Sequence, residues 1–206
     1  MELIAYRLAL GFVALAALGR VSGIFVLQLF RQRRYAREAV AYPTSWRDRC
    51  TAPEPALLGA TTLLLLLRHR VPEQLSAAVL ARTGAAALLA LLAVILMLWA
   101  LRAFPGVSTG HYVLPGQQVV SSGPYRLVRH PLYLAAFLVW LAVAVAFASP
   151  AALGLAALYV IPGYLIYIRS EEEMLLAQLG EAYRRYRSEV GMLLPRLRRA
   201  AATGAS

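Results

Sequence analysis

Lysine is absent: all 21 basic residues are arginines. Acidic residues number only ten, and Asp48 is the sole aspartate. Charged side chains make up 15% of the 206 residues, too few for a disordered chain. Cys50 is the single cysteine, which excludes a disulfide framework or a thiolate metal site. His69, His111 and His130 show no metal-ligand spacing among themselves, and no Ser-His-Asp order is present. No metal and no serine-hydrolase chemistry is therefore expected. The sequence also lacks a heptad array, a fixed-period repeat and a Gly-rich phosphate loop; Leu114-Pro115-Gly116-Gln117 reads as a turn.

What is abundant is apolar sequence. Hydrophobic residues make up 60% of the chain, and mean hydropathy is +0.62. They come in blocks such as Leu57 to Leu67 and Ala85 to Leu101, without the dispersion of a soluble domain. A bilayer core about 30 Å thick needs roughly 20 helical residues. Five candidate spans result: Leu3 to Phe30, Pro55 to Leu67, Leu75 to Leu101, Pro131 to Ala148 and Pro150 to Ile168. The first lacks a basic start and carries Arg20, so it reads as a retained helix and not a cleaved signal. The expected class is an all-α, polytopic membrane protein of about five spans with a C-terminal amphipathic helix.

The net charge of +11 would suggest nucleic acid in a soluble protein, but here it reports topology. Segments 31–54, 102–130 and the tail from Arg169 hold sixteen arginines, whereas the opposite loops hold only Arg68 and Arg70. That asymmetry predicts an outside N-terminus and a cytoplasmic C-terminus, with membrane lipids and no nucleic acid as partners. The membrane would be the plasma membrane of a bacterium or the endoplasmic reticulum of a eukaryote. Arg7, Arg20 and Arg82 fall in or near spans, and Arg20 is the one modest functional candidate among them. Ser149-Pro150 predicts an N-cap followed by Pro at the first helical position, and hence a tight hairpin. Pro162-Gly163 predicts a kink inside the last span.

Two polar strings stand out. The first, from Ser121 to Tyr133, contains Gly123-Pro124-Tyr125-Arg126 and Arg129-His130-Pro131-Leu132-Tyr133. Pro131 suits the first position of a helix, which places His130 and Arg129 at its N-terminus, where amide groups and the dipole favour an anion. The second is Arg169-Ser170-Glu171-Glu172-Glu173, followed by Leu175, Leu176, Leu179, Tyr183, Tyr186 and Val190 at helical spacing. At 100° per residue Glu172 falls near the middle of that apolar arc, and Glu171 and Glu173 fall to either side. Glu172 is thus expected to point inward toward cations or hydrogen-bond donors. Glu173 is expected to pair with Arg184, Arg185 or Arg187.

From Val119 to Pro195 this order of motifs resembles the isoprenylcysteine carboxyl methyltransferases. They belong to a wider group of integral-membrane methyltransferases that includes the phospholipid methyltransferases. Gly123, Pro124, Tyr125 and Arg126 match, as do Arg129, His130, Pro131 and Tyr133, then Glu171 and Glu172, then Gly180, Tyr183 and Tyr186. The resemblance implies S-adenosylmethionine as cofactor, held by Tyr125, Arg129, His130, Pro131, Tyr133, Glu171 and Glu172. It further implies a lipophilic or prenylated acceptor, such as an isoprenylcysteine-like or isoprenoid carboxylate. Arg169 would position that carboxylate, and Glu172 or His130 would take the proton of an amine. A phospholipid amine, a small hydrophobic thiol, or an NADPH-dependent reductase of the sterol type are the alternatives. Tyr183 and Tyr186 are expected to pack and not to touch ligand. Many relatives carry an arginine near the position of Met192; this chain has Arg196, after Pro195.

Overall fold

The computed structural model describes residues 1–35, 40–41, 46–104, 112–113 and 116–196, with side chains described outside 24–45, 48 and 105–115. Arg37, His111, Leu114, Pro115, Arg198 and Arg199 lie outside the described residues. The helices are α1 (Glu2–Tyr35), α2 (Trp46–Arg49), α3 (Glu54–Arg68), α4 (Ala77–Ala103), α5 (Pro131–Ala146), α6 (Pro150–Leu155) and α7 (Ile161–Glu189). A 3-10 turn at Gly123–Arg126 precedes α5, and a π turn at Ala156–Val160 joins α6 to α7. The protein is an all-α membrane protein. Its short strands, β1 (Val40–Ala41) and β2 (Tyr112–Val113), pair antiparallel and join the loops before α3 and after α4. Those two loops therefore meet at β1 and β2.

Glu2–Gly23, Ala77–Ala103 and Pro150–Glu189 are long and apolar enough to cross a membrane. With 15 and 16 residues, α3 and α5 rise only about 22 and 24 Å at 1.5 Å per residue. The apolar part of the last helix ends at Ile168; from Arg169 onward charged residues recur every few positions.

Small side chains let the helices approach closely, as is usual where lipid removes the hydrophobic drive between them. Ala86, Ala90, Ala93 and Ala100 of α4 are buried, as are Ala135, Ala136, Val139 and Ala142 of α5. On α1, Tyr6, Leu10, Val13 and Ala17 form one buried face at spacings of three and four, and Arg20 continues it. Thr62 and Thr83 return their hydroxyls to the carbonyls of Leu58 and Val79 and so hide their polarity within their own helices.

Between α5 and α6 only three residues turn the chain. Ala148 adopts φ 46°, and the Ser149 hydroxyl accepts from the Ala152 amide at 3.2 Å, with Pro150 next in line. The predicted cap and hairpin are both present. The expected irregularity at Pro162-Gly163 falls one turn earlier, as the π turn at 156–160. Pro162 has no N–H to give to the preceding turn, and the wider turn makes room for its ring. Beyond Ile168 the helix does not stop but runs on to Glu189, broken only at Gly180, whose φ of 55° and ψ of −128° are not helical. The amphipathic segment is thus an extension of the last span. Despite the break, Tyr183, Tyr186 and Val190 still pack with Leu175, Leu176 and Leu179.

Candidate cofactor and acceptor site

The site starts with a turn that only glycine can make. Gly123 has φ 58°, and a Cβ there would come within 2.6 Å of the Ala103 Cβ, so the turn lies directly on the end of α4. Tyr125 is buried behind it, with its ring edge-on to Phe104 at 6.4 Å. Its carbonyl accepts the Tyr186 hydroxyl at 2.7 Å, which pins the turn to α7. Burial raises the Tyr125 phenol above its ordinary range, so it remains a neutral ring.

The chain then passes beside its own C-terminal return. Val128 bridges Gly191, the Arg129 amide donates to the Gly191 carbonyl at 2.8 Å, and the His130 amide donates to the Met192 carbonyl at 3.1 Å. These two amides are therefore engaged; the free amides expected at the helix start are those of Leu132 and Tyr133, which have no intrahelical partners. Pro131 opens α5 as predicted, with His130 as its N-cap residue.

Side chains from both strings meet at this point. Arg129 Nε donates to Glu172 Oε1 at 2.8 Å, while its Nη1 reaches the carbonyls of Arg187 at 3.1 Å and Val190. One guanidinium thus holds an inward carboxylate and closes the last carbonyls of α7. His130 lies between two carboxylates, with Nε2 3.1 Å from Glu172 Oε1 and Nδ1 3.5 Å from Glu171 Oε2. Its ring stacks on Tyr133 at 5.5 Å, and the Tyr133 hydroxyl donates to Glu171 Oε2 at 2.9 Å. Arg187 Nε reaches the second oxygen of Glu172 at 3.2 Å.

Two opposing effects set the charges. Burial disfavours the imidazolium of His130, but hydrogen bonds and attraction from Glu171 and Glu172 outweigh it and raise its pKa. Burial likewise disfavours ionised Glu172, yet hydrogen bonds from His130 and Arg129 hold its carboxyl below the ordinary range. Each partner thus favours the charged form of the other, His130 as imidazolium and Glu172 as carboxylate.

The three glutamates part as the helical arc requires. The Glu172 side chain is 2% exposed, that of Glu171 23% and that of Glu173 61%. Glu173 does not reach Arg184, Arg185 or Arg187: it pairs with Arg47 of α2 at 2.7 Å, and Arg184 pairs with Glu181. The sequence pattern gave no sign of α2 packing on α7, so this partner was not foreseeable.

A cavity of about 480 Å³ adjoins the cluster. Tyr125, Arg129, His130, Pro131, Tyr133 and Glu171 all line it. Glu172 does not; it stands behind Arg129 and His130 and fixes them. Arg169 is exposed and outside the lining, and Arg196 is also exposed, with its Nη1 on the Ser188 carbonyl. Tyr183 and Tyr186 pack as expected and also face the cavity. Sequence reasoning missed Phe104, Gln117, Gln118, Tyr164, Tyr167 and Met174 on its wall. These residues carry no local motif and reach the cavity only through tertiary packing. From the cluster the cavity continues between α1, α4 and α5, past Ala16, Ala93, Val94 and Val139.

A family model described as phospholipid methyltransferase matches residues 78–182, which include the 3-10 turn, the His130 motif, and Glu171 and Glu172. The chain belongs to the phospholipid methyltransferase family. That family sits within the isoprenylcysteine carboxyl methyltransferase-like group of membrane methyltransferases, so this phospholipid methyltransferase relative is itself a membrane methyltransferase by family. Among curated proteins no sequence matches it.

Proposed function

We propose that the protein transfers a methyl group from S-adenosylmethionine to a lipophilic acceptor drawn from the membrane. One observation carries the reading: a single cavity joins a charged cluster of a histidine and two glutamates to an apolar passage among the membrane helices. An amphipathic acceptor needs both ends of such a space. The cavity volume also falls within the range of small-molecule sites.

The donor set suits the cofactor. Glu171 offers a carboxylate to ribose hydroxyls or to a cationic group, and the imidazolium of His130 with the first turn of α5 suits a carboxylate. Tyr125, Phe104 and Tyr183 supply flat walls for a base. S-adenosylmethionine supplies a methyl already activated by sulfonium charge. The protein's part is to orient the acceptor and exclude water. Two carboxylates favour the protonated form of His130, which makes it the weaker candidate for a proton sink. Among the described lining residues Glu171 is the carboxylate, and it would accept a proton from an amine acceptor. A carboxylate or thiolate acceptor needs no such base. We place the cluster on the cytoplasmic face, following the arginine distribution.

Calorimetric titration of the detergent-purified protein with S-adenosylmethionine, S-adenosylhomocysteine and NADPH tests this directly. Binding of the first two without NADPH is expected. NADPH binding alone would overturn the reading in favour of a reductase.

A further inference from the structure

Among the described residues, the buried charged groups that the cofactor site does not use are Arg20 on α1 and Glu54 on α3. Arg20 Nη1 donates to both oxygens of Glu54, at 2.7 and 2.9 Å, and Nη2 donates to the Tyr164 hydroxyl at 2.9 Å. Glu54 further accepts Trp140 Nε1 at 2.6 Å and the Tyr164 hydroxyl at 3.0 Å. The carboxylate thus takes four hydrogen bonds, and the charge of Arg20 is matched. A guanidinium has five N–H groups, and three of these are used. The other two, on Nε and Nη2, meet no acceptor among the described residues. Arg20 and Tyr164 line the cavity, whereas Glu54 and Trp140 lie behind them.

This network ties α1, α3, α5 and α7 together, but a tie does not require a guanidinium edge on the cavity wall. A hydrocarbon chain laid against that edge would strip it of water and leave two donors unmet. An anion would satisfy them but would bury a net negative charge beside Glu54. A neutral oxygen satisfies both conditions. Its depth also fits: Arg20 lies 18 residues beyond Glu2, about 27 Å along α1 at 1.5 Å per residue, near the far boundary of a 30 Å core. Ring contacts lead from there to the cofactor cluster, with Tyr164 tilted against Tyr133 at 5.2 Å and Tyr133 stacked on His130 at 5.5 Å.

We propose that Arg20, set by Glu54 and Tyr164, is a specificity residue that donates to a neutral carbonyl or hydroxyl oxygen of the lipophilic acceptor just inside the membrane boundary. The proposal rests on the lipophilic-acceptor reading above. It predicts discrimination against acceptors whose apolar part is hydrocarbon alone, because a site built to hydrogen-bond an oxygen rejects the analogue lacking it.

Binding isotherms at fixed micelle concentration test it with two matched pairs of probes. One pair is dioleoyl phosphatidylethanolamine and its diether analogue; the other is oleyl alcohol and 1-octadecene. The wild type is expected to favour the carbonyl or the hydroxyl member by about tenfold or more, and the pair that discriminates identifies the oxygen. Arg20→Lys spends its three N–H groups on Glu54 and Tyr164 and should lose the preference, with S-adenosylhomocysteine affinity kept within about twofold. Should that variant not fold, the Arg20→Met, Glu54→Gln double variant removes both buried charges together and should lose the preference in the same way. Equal binding of both members in both pairs by the wild type would overturn the proposal, as would a preference that survives either variant. If the wild type discriminates but binds no S-adenosylhomocysteine, the cofactor reading falls while the role of Arg20 stands.

Discussion

Glu171, Glu172 and Glu173 have the same side chain and three different fates, because each step along a helix turns it by 100°. Glu172 meets Arg129, His130 and Arg187; Glu171 meets Tyr133 and the cavity; Glu173 reaches outward to Arg47. The inward turn of Glu172 was legible because period and apolar pattern are local properties. The partner of Glu173 was not, since α2 lies 126 positions away in sequence. Removing the charge at Glu172 leaves Arg129 buried without its carboxylate and His130 with Glu171 alone, and the loss of a buried counter-ion typically costs about 3 kcal/mol or more. Glu172→Gln and His130→Ala should therefore each weaken S-adenosylhomocysteine binding far more than Glu173→Gln, as read by calorimetry. Equal effects at Glu172 and Glu173 would refute the division of roles.

The same cluster sets a pH window. His130 has its pKa raised above 6.5, so its contribution is complete below about 6.5 and is lost as pH rises through the raised value. Glu172 has its pKa lowered below 4.5, so its contribution is complete above about 4.5 and is lost as pH falls through the lowered value. Affinity for S-adenosylhomocysteine should be level between about pH 4.5 and 6.5 and fall at higher pH, as the imidazolium is lost through its raised pKa. His130→Gln should abolish that alkaline limb, and a limb that survives in this variant would assign it to another group.

At the scale of elements, what could be read in advance was whatever a few neighbouring residues decide. Ser149-Pro150 caps its helix, and Pro131 opens α5, because both effects act within one turn. The break at Gly180 and the return of the C-terminal segment past Arg129 were hidden, since each depends on a distant surface. That return is a fixed part of the site. A Cβ on Gly191 would sit 1.8 Å from the Leu194 carbonyl oxygen, and the Gly191 and Met192 carbonyls receive the amides that seat Arg129 and His130. Gly191→Ala should lower the thermal midpoint and S-adenosylhomocysteine affinity together. Gly154→Ala is the matched control: it meets nothing within 4 Å in α6 and should be neutral or stabilising by about 0.5–1 kcal/mol. An unchanged midpoint in Gly191→Ala would show that the return is not needed to hold the motif.

For the molecule as a whole, the arginine count and the tertiary contacts bear on one question, which side of the membrane carries the site. The count expects sixteen arginines on one side, and contacts among the described residues link parts of those segments. The strands β1 and β2 join the loops before α3 and after α4; Arg47 pairs with Glu173, and the Tyr159 hydroxyl donates to the Cys50 carbonyl at 2.7 Å. Cys50 therefore reports on the side that holds His130 and Glu171. At the opposite end, Tyr6 and His69 share a 2.8 Å hydrogen bond, with Arg70 exposed beside them. Because Cys50 is the single cysteine, one membrane-impermeant maleimide reads the orientation without further engineering. It should label inside-out vesicles and spare right-side-out ones. The Cys50→Ser, Arg70→Cys double variant should show the reverse. Labelling of Cys50 from the outside would invert the topology and place the cluster away from the cytoplasmic supply of S-adenosylmethionine. Labelling of both positions from one side would mean that α3 enters and leaves by the same face, which its rise of about 22 Å makes the sharpest point to check.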